Sequence, residues 1–272
     1  MSRITGMIGR YIAANRRSAP VRALHRAASF VESAWNNEGA SVEANGEERV
    51  IELLAPANFK RAIDVGANHG DWLLSAAAHW PQCRIDAFEV APPTFETLAV
   101  NVAGSPLKSR LTLHNMGLGN REGTQQMFYF PEHPELTCDL PRHGHLRVPF
   151  EATLNTGDLF LAAAESCPVD FLKIDVEGAE FRVIQGFRES LAAGRIHCLQ
   201  FEYGAFSIQT RFLLADYYDL LQSAFWIGKI FHSGVEFSDY DWRMENFRFS
   251  NYCCVSRARP DLRALLETAV SS

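Results

Sequence analysis

Residues 61–71 read Arg-Ala-Ile-Asp-Val-Gly-Ala-Asn-His-Gly-Asp: a short apolar run, an acid, and two glycines that lead into a helical pattern. A strand ending in Asp-x-Gly-x-x-x-Gly has to turn sharply into the next helix. The missing side chains at Gly66 and Gly70 also let main chain come close to a bound ligand. A strand–glycine–helix turn of this kind belongs to folds that alternate strands with helices, and it points to a nucleoside-type ligand.

The remaining pattern follows that alternation. Apolar runs of strand length lie at 62–65, 84–89, 111–116, 169–175, 197–202, 225–231 and 251–255, each bounded by turn or charged residues. Helical patterns lie at 71–80, 94–102, 179–193 and 211–223. The expectation is an α/β fold: a mainly parallel seven-stranded sheet with helices on both faces and an antiparallel edge hairpin formed by the last two runs. Extra strands are expected at 123–130 and 147–154, separated by a Pro/His-rich loop, 131–145, of the kind that lies over a site. Residues 1–48 read as a basic helical extension and linker, and 49–272 as the main domain, whose apolar content (47% of the chain) can fill one sizeable core.

Three motifs carry chemistry. The turn Asp64-Val65-Gly66-Ala67-Asn68-His69-Gly70 lacks the central spacing of a dinucleotide fingerprint, so a pyrophosphate is disfavoured. It suits a ligand without phosphate, such as S-adenosylmethionine, whose amino-acid end can bond main chain beside Gly66 and Gly70 while Asp64 meets its ammonium directly or through water. A tight connection with no ligand is the bland alternative. Glu89 ends the next strand, where an acid can accept from both hydroxyls of a ribose, beside Val90. Asn115, Met116 and Gly117 close the third strand and are placed to flank an adenine, although Met116 fits a core position equally well. The third motif, Asp170-Phe-Leu-Lys173-Ile-Asp175-Val-Glu177-Gly178-Ala-Glu180, puts carboxylates at the mouth of the sheet, where α/β sites lie. Asp175 is the candidate base, with Lys173 and Glu177 beside it. Helix capping is the structural alternative for Glu177 and Glu180, and a pair with Asp175 is the alternative for Lys173.

Together these segments resemble the FkbM-type methyltransferases, a branch of the class I S-adenosylmethionine-dependent enzymes. The likeness runs over 63–203, about half of the chain. It implies a Rossmann-like class I methyltransferase fold over 49–272, with cofactor contacts from Asp64, Gly66, Asn68, Gly70 and Glu89; Ala67 and Asp175, in the same two motifs, are further candidates for such contacts. Asp175, Glu177 and Glu180 then face the reaction centre, and a hydroxyl of a polyketide, sugar or related small molecule is the acceptor. Two positions depart from the family pattern. Val90 and Ala91 precede Pro92-Pro93, where a proline usually follows the ribose acid directly. Asn155 stands where the family often has Asp, so it receives no catalytic role. Substrate contacts are expected from Glu180, Glu202, His143 and Tyr203.

Charge and cysteine usage set the partners. A net charge of −6 argues against a dedicated nucleic-acid binder. The first 26 residues hold six arginines and no acid, so the rest of the chain carries twice the overall net charge. That segment reads as a solvated helix, with an organelle transit peptide or a membrane-surface helix as alternatives. Six cysteines without C-x-x-C spacing, and no long apolar run, make reduced thiols in the cytoplasm the default. Cys253 and Cys254 are expected as buried strand residues. His133, His143, His145, Cys138 and Asp139 fit no zinc spacing. Asp175 and Glu202 end adjacent strands and could hold one hard divalent cation, though no metal is expected. A nicotinamide oxidoreductase, a catalytically silent partner protein of the same fold, and a carboxylate or amine methyltransferase stay open as alternatives.

Overall fold

The structure, a computed structural model, describes residues 3–39, 41–42, 44–140, 146–163 and 167–267. In chain order it contains helices α1 (Arg3–Ala14), α2 (Ala19–Trp35) and α3 (Glu47–Leu54), then β1 (Arg61–Val65), α4 (Asp71–His79), β2 (Arg84–Phe88), α5 (Pro92–Ala103) and β3 (Leu111–His114). Next come β4 (Gly117–Gly119), β5 (Gly123–Tyr129), β6 (Val148–Thr156), α6 (Gly157–Ala163), β7 (Val169–Ile174), α7 (Glu180–Gln185), α8 (Arg188–Ala192) and β8 (Ile196–Tyr203). The chain finishes with α9 (Ser207–Thr210), α10 (Leu214–Leu221), β9 (Phe225–Phe231), β10 (Gly234–Phe237), β11 (Ser250–Ser256) and α11 (Pro260–Leu266).

The main sheet has eight strands, ordered β10-β9-β11-β8-β7-β1-β2-β3, where the sequence suggested seven. From β3 to β8 all pairings are parallel. The eighth strand is β10, a four-residue return whose Val235 is fully buried. It forms the antiparallel edge hairpin with β9. The last strand, β11, pairs antiparallel with β9 as expected, but it lies inside the sheet between β9 and β8. All seven of its residues are buried, Cys253 and Cys254 among them, and such a strand gains more from neighbours on both sides than from an edge.

Helices cover both faces. Apolar residues of α3, α4, α5 and α11 pack on one side with Ala62, Phe171, Cys198 and Cys253 of the sheet. There Trp72 stacks on Phe171 at 5.5 Å between ring centroids, and the Trp80 indole N–H donates to Ile51 O at 3.0 Å. Residues of α6, α7, α8 and α10 pack on the other side. The single helix expected over 179–193 is broken into α7 and α8. A Cβ at Gly186, between them, would lie 2.0 Å from Gly119 O, so the helix dips where it crosses β4. The extra strands β5 and β6 join β4 in a separate three-stranded sheet.

Strand register stacks polar residues on the α3/α4 face. Asp64 lies beside Lys173, and Lys173 beside Gln200. One row nearer the carboxyl ends, Glu202 of β8 lies beside Asn251 of β11, next to Asp175 just past β7. The alternation of β7 that buries Phe171 in the core therefore delivers Lys173 and Asp175 to the mouth of the sheet.

Candidate active site

A cavity of about 600 Å³ opens at the carboxyl ends of β1, β2, β7 and β8, within the range of small-molecule sites. Its wall includes Gly66, Ala67, Asn68, Glu89 and Val90 from the first two strand ends, Met116 and Gly117 after β3, and Lys173, Asp175, Glu177 and Glu202. The loop expected to lie over the site does so: Leu136, Thr137 and Asp139 border the same space. In that loop Asp139 pairs with Arg182 at 2.7 Å, and the Gln125 side-chain amide donates to it at 2.7 Å.

The glycine turn is shaped by its neighbour. Gly66 has φ +86°, and a Cβ there would sit 1.8 Å from Asp175 O. The residue is therefore required for the close pass of two main-chain turns, a reason that the sequence did not disclose. The Gly66 and Ala67 N–H groups both donate to Phe88 O at 2.9 Å, tying β1's turn to β2. Gly70 starts α4 with φ +96° but does not border the cavity.

Glu89 bridges the same two turns. It accepts from Asn68 N–H at 3.0 Å and from Ala91 N–H at 2.8 Å. Burial pushes its carboxyl up to about 7, against the pull of those N–H donors. Asn115 is spent on main chain, its amide donating to Glu89 O at 2.9 Å and Val90 O at 3.4 Å, and it does not border the cavity. Met116 and Gly117 do.

Beneath the acidic lip lies a buried charge group. The Lys173 ammonium is 3.1 Å from Asp175 Oδ2 and 3.6 Å from Asp64 Oδ1. Burial alone would lower its pKa, but Asp175, Asp64 and Glu47 together hold it above the ordinary lysine value. Asp64 is fully buried below the cavity floor, and among the described residues neither of its oxygens accepts a hydrogen bond. Burial pushes it up to about 6, with Lys173 opposing and Asp175 reinforcing. Glu47 reaches this group from the start of α3. It accepts from the side-chain amides of Asn45, at 2.6 Å, and Gln200, and burial raises its pKa.

At the lip, carboxylate oxygens of Asp175, Glu177 and Glu202 all lie within 4.8 Å of one another, close enough to share one cation. Burial raises Glu202 well above the usual carboxylate range, and the charges of Asp175, Glu177 and Glu180 raise it further. Glu177 has φ +57°, a strained left-handed conformation for a residue with a side chain, and is followed by Gly178 at +107°, where glycine carries no such cost. Glu180 closes that turn, accepting from Val176 N–H and Gly178 N–H at 3.0 Å. Burial pushes it up to about 7, the N–H donors opposing.

Of the expected substrate contacts, Glu202 borders the cavity and Glu180 is committed to the turn. Tyr203 does not border the cavity, and its hydroxyl donates to Glu245 at 2.6 Å. His143 lies outside the described residues. Sequence reading missed Asn45, Glu47 and Asn251. Glu47 meets Gln200 across 153 positions of chain, so no local signal marks it. Asn251 is visible only once β11 is placed beside β8.

The chain is similar to methyltransferase sdnD of Sordaria araneosa, at 28% identity over 155 residues. It is also similar to methyltransferase 1 of Beauveria bassiana (strain ARSEF 2860), at 28% over 142 residues. These matches take in 47% and 46% of this chain and 60% and 57% of the relatives, so it spans less than two thirds of their length. Among solved structures, it is similar to methyltransferase FkbM from Methylobacillus flagellatus KT, with a TM-score of 0.47 and 16% identity over 72% of this chain and 44% of that one. It is also similar to the O-methyltransferase TomG from Streptomyces achromogenes, with a TM-score of 0.45 and 10% identity over 80% and 82%. The architecture is the Rossmann-like class I methyltransferase fold, with β10 added at its edge. The sequence model of the methyltransferase FkbM domain matches residues 64–224, more than half of the chain, and the chain belongs to that family.

Proposed function

We propose that the chain is an S-adenosylmethionine-dependent methyltransferase acting on a hydroxyl of a small molecule. The observation that carries this reading is the sharing of one cavity by the Gly66 turn, the ribose-type acid Glu89 and the acidic lip at Asp175. The donor set fits the cofactor. Glu89 and Asn68 are buried acceptors at the strand ends, with Asn68 Oδ1 unpartnered among the described residues, and Val90, Met116 and Gly117 offer an apolar wall for a purine. Gly66 and Ala67 line the space for the cofactor's amino-acid end, but with both N–H groups given to Phe88 O they offer it carbonyl oxygen rather than donors, and Asp64 acts from below the floor through Lys173. Gly70 and Asn115 do not border the cavity and support this wall from behind.

Bound S-adenosylmethionine supplies a methyl group already activated by its sulfonium. The protein's share is to aim an oxygen at that methyl and to take the proton as the new C–O bond forms and the C–S bond breaks. Asp175 receives that proton. Lys173 grips Asp175 Oδ2 and fixes the carboxylate at the lip, where Glu202 and Glu177 flank the acceptor. The lip triad Asp175, Glu177 and Glu202 would also take a divalent cation, but the Lys173 ammonium already supplies a local positive charge, and the reading needs no metal. The three clustered carboxylates favour a cationic acceptor as the second reading, with methyl transfer to an amine. The six cysteines are free thiols, which suits a reducing cytoplasm.

Incubation with methyl-labelled S-adenosylmethionine and a metabolite extract tests the activity. A labelled product heavier by one methyl is expected, and its fragmentation separates ether from amine. Calorimetry showing no uptake of S-adenosylmethionine or S-adenosylhomocysteine would sink the reading.

A further inference from the structure

The two helices before α3 are amphipathic in the wrong direction for a domain that stands alone. On α1, Ile4, Met7, Ile8 and Tyr11 follow the i, i+3, i+4, i+7 spacing of one helix face, and each is at least half exposed. On α2, Leu24, Val31 and Trp35 form a second stripe with Phe30 alongside, and Trp35 is 82% exposed. A helix that belongs to a core turns its apolar stripe inward. Here the attachment to the body is polar: Glu32 pairs with Arg248 at 3.1 Å, and Ser29 and Ser33 are the half-buried positions. Just beyond the helix, Glu38 pairs with the same arginine at 2.6 Å, and the Asn37 amide donates to Asn45 O at 2.7 Å and Ile230 O at 3.1 Å. Val21 near the start of α2 is buried and Ile12 of α1 half-buried, but from Leu24 onward α2 is held by polar residues, and the remaining apolar positions of both helices face outward.

We infer that this face docks on an anionic lipid bilayer, with α1 and α2 lying in the headgroup plane. Charge singles out this occupant. Residues 1–26 carry six arginines and no acid, while the remainder is strongly acidic, so an anionic surface attracts this segment and repels the rest. Arg10 beside the stripe of α1 and Arg16 and Arg17 in the turn between the helices are placed to meet lipid phosphates, while Arg22 and Arg26, on the far side of α2 from its stripe, add only long-range attraction. The apolar stripes, ending in Tyr11, Phe30 and Trp35, supply the amphipathic aromatic groups that favour the water–hydrocarbon boundary. Among the described residues no helix is long and apolar enough to cross a membrane, so the contact is peripheral. This inference does not depend on the cofactor or the acceptor.

Co-sedimentation of the full chain with phosphatidylcholine vesicles, with and without one-third phosphatidylglycerol, tests it. Anionic vesicles should bind at least about tenfold more tightly than neutral ones, and binding should weaken as salt rises. The double variant Ile8→Asp, Val31→Asp changes two exposed positions and should keep the wild-type melting temperature. It should also lose about tenfold or more in vesicle binding. Replacing Arg10, Arg16 and Arg17 by Gln should remove most of the preference for anionic lipid. Equal binding to both vesicle types, or an apolar-face variant that binds as wild type, overturns the proposal. A dimer in lipid-free solution that the double variant dissolves, with no vesicle binding by wild type, assigns the face to a second copy instead.

Discussion

Asp64 shows how a single side chain can trade stability for a site. Its folded-state pKa of about 6 lies above the ordinary aspartate value of 3.8, chiefly through burial. A raised folded pKa means that its stabilising contribution is complete below about pH 4 and is lost as pH rises through about 6. Asp64→Asn removes this titration but takes a buried carboxylate from Lys173, so the stability difference between variant and wild type should shift in the variant's favour by on the order of 2–3 kcal/mol as pH rises from about 4 to about 8, from a starting point set by the lost pair. Urea titrations of both proteins across that window check it, and a pH-independent difference would contradict it. The roles proposed for Asp175 and Glu89 separate chemistry from binding. Asp175→Asn should keep cofactor affinity and lower turnover by roughly 10²- to 10⁴-fold. Glu89→Ala should weaken cofactor binding by roughly tenfold to a hundredfold, the worth of charged hydrogen bonds. Calorimetry beside a labelled-methyl assay distinguishes the two, and equal loss of binding in both variants would reject the assignment.

Among elements, the turns decide more than the helices and strands that they join. The strand–glycine–helix motif was legible because its residue types are needed wherever it occurs, yet the reason for Gly66 is the main chain of Asp175, which no local reading could supply. Helix α10 is held by a residue far along the chain. Glu245 accepts from Leu214 N–H at 3.2 Å, Ala215 N–H at 2.8 Å, Tyr203 at 2.6 Å and Tyr240 at 3.1 Å. Glu245→Ala leaves these donors without their acceptor and should cost about 2–3 kcal/mol. A fall in melting temperature with unchanged cofactor affinity is expected. A parallel loss of affinity would return Tyr203 to the binding site.

For the whole molecule, the cavity joins elements that the chain holds far apart: the first two strands, β7, β8, the loop after β5 and the segment before α3. A ligand that bridges them stabilises the folded state as a unit. S-adenosylmethionine at a hundred times its Kd should add about 2.7 kcal/mol, read as a rise of several degrees in Tm. NAD should leave Tm unchanged, and the reverse result would favour an oxidoreductase. The sequence by itself determined the alternation of strand and helix, the mainly parallel sheet, and the strand-end positions of Gly66, Glu89, Asp175 and Glu202, because side-chain periodicity and turn chemistry act over a few residues. Only the tertiary structure decided that β11 enters the sheet beside β8, that Glu47 and Asn251 border the cavity while Tyr203 and Asn115 do not, and that α1 and α2 leave most of their apolar positions outward. Those outcomes depend on which distant surfaces meet, and burial and charge pairing across the finished fold settle that after the local pattern is spent.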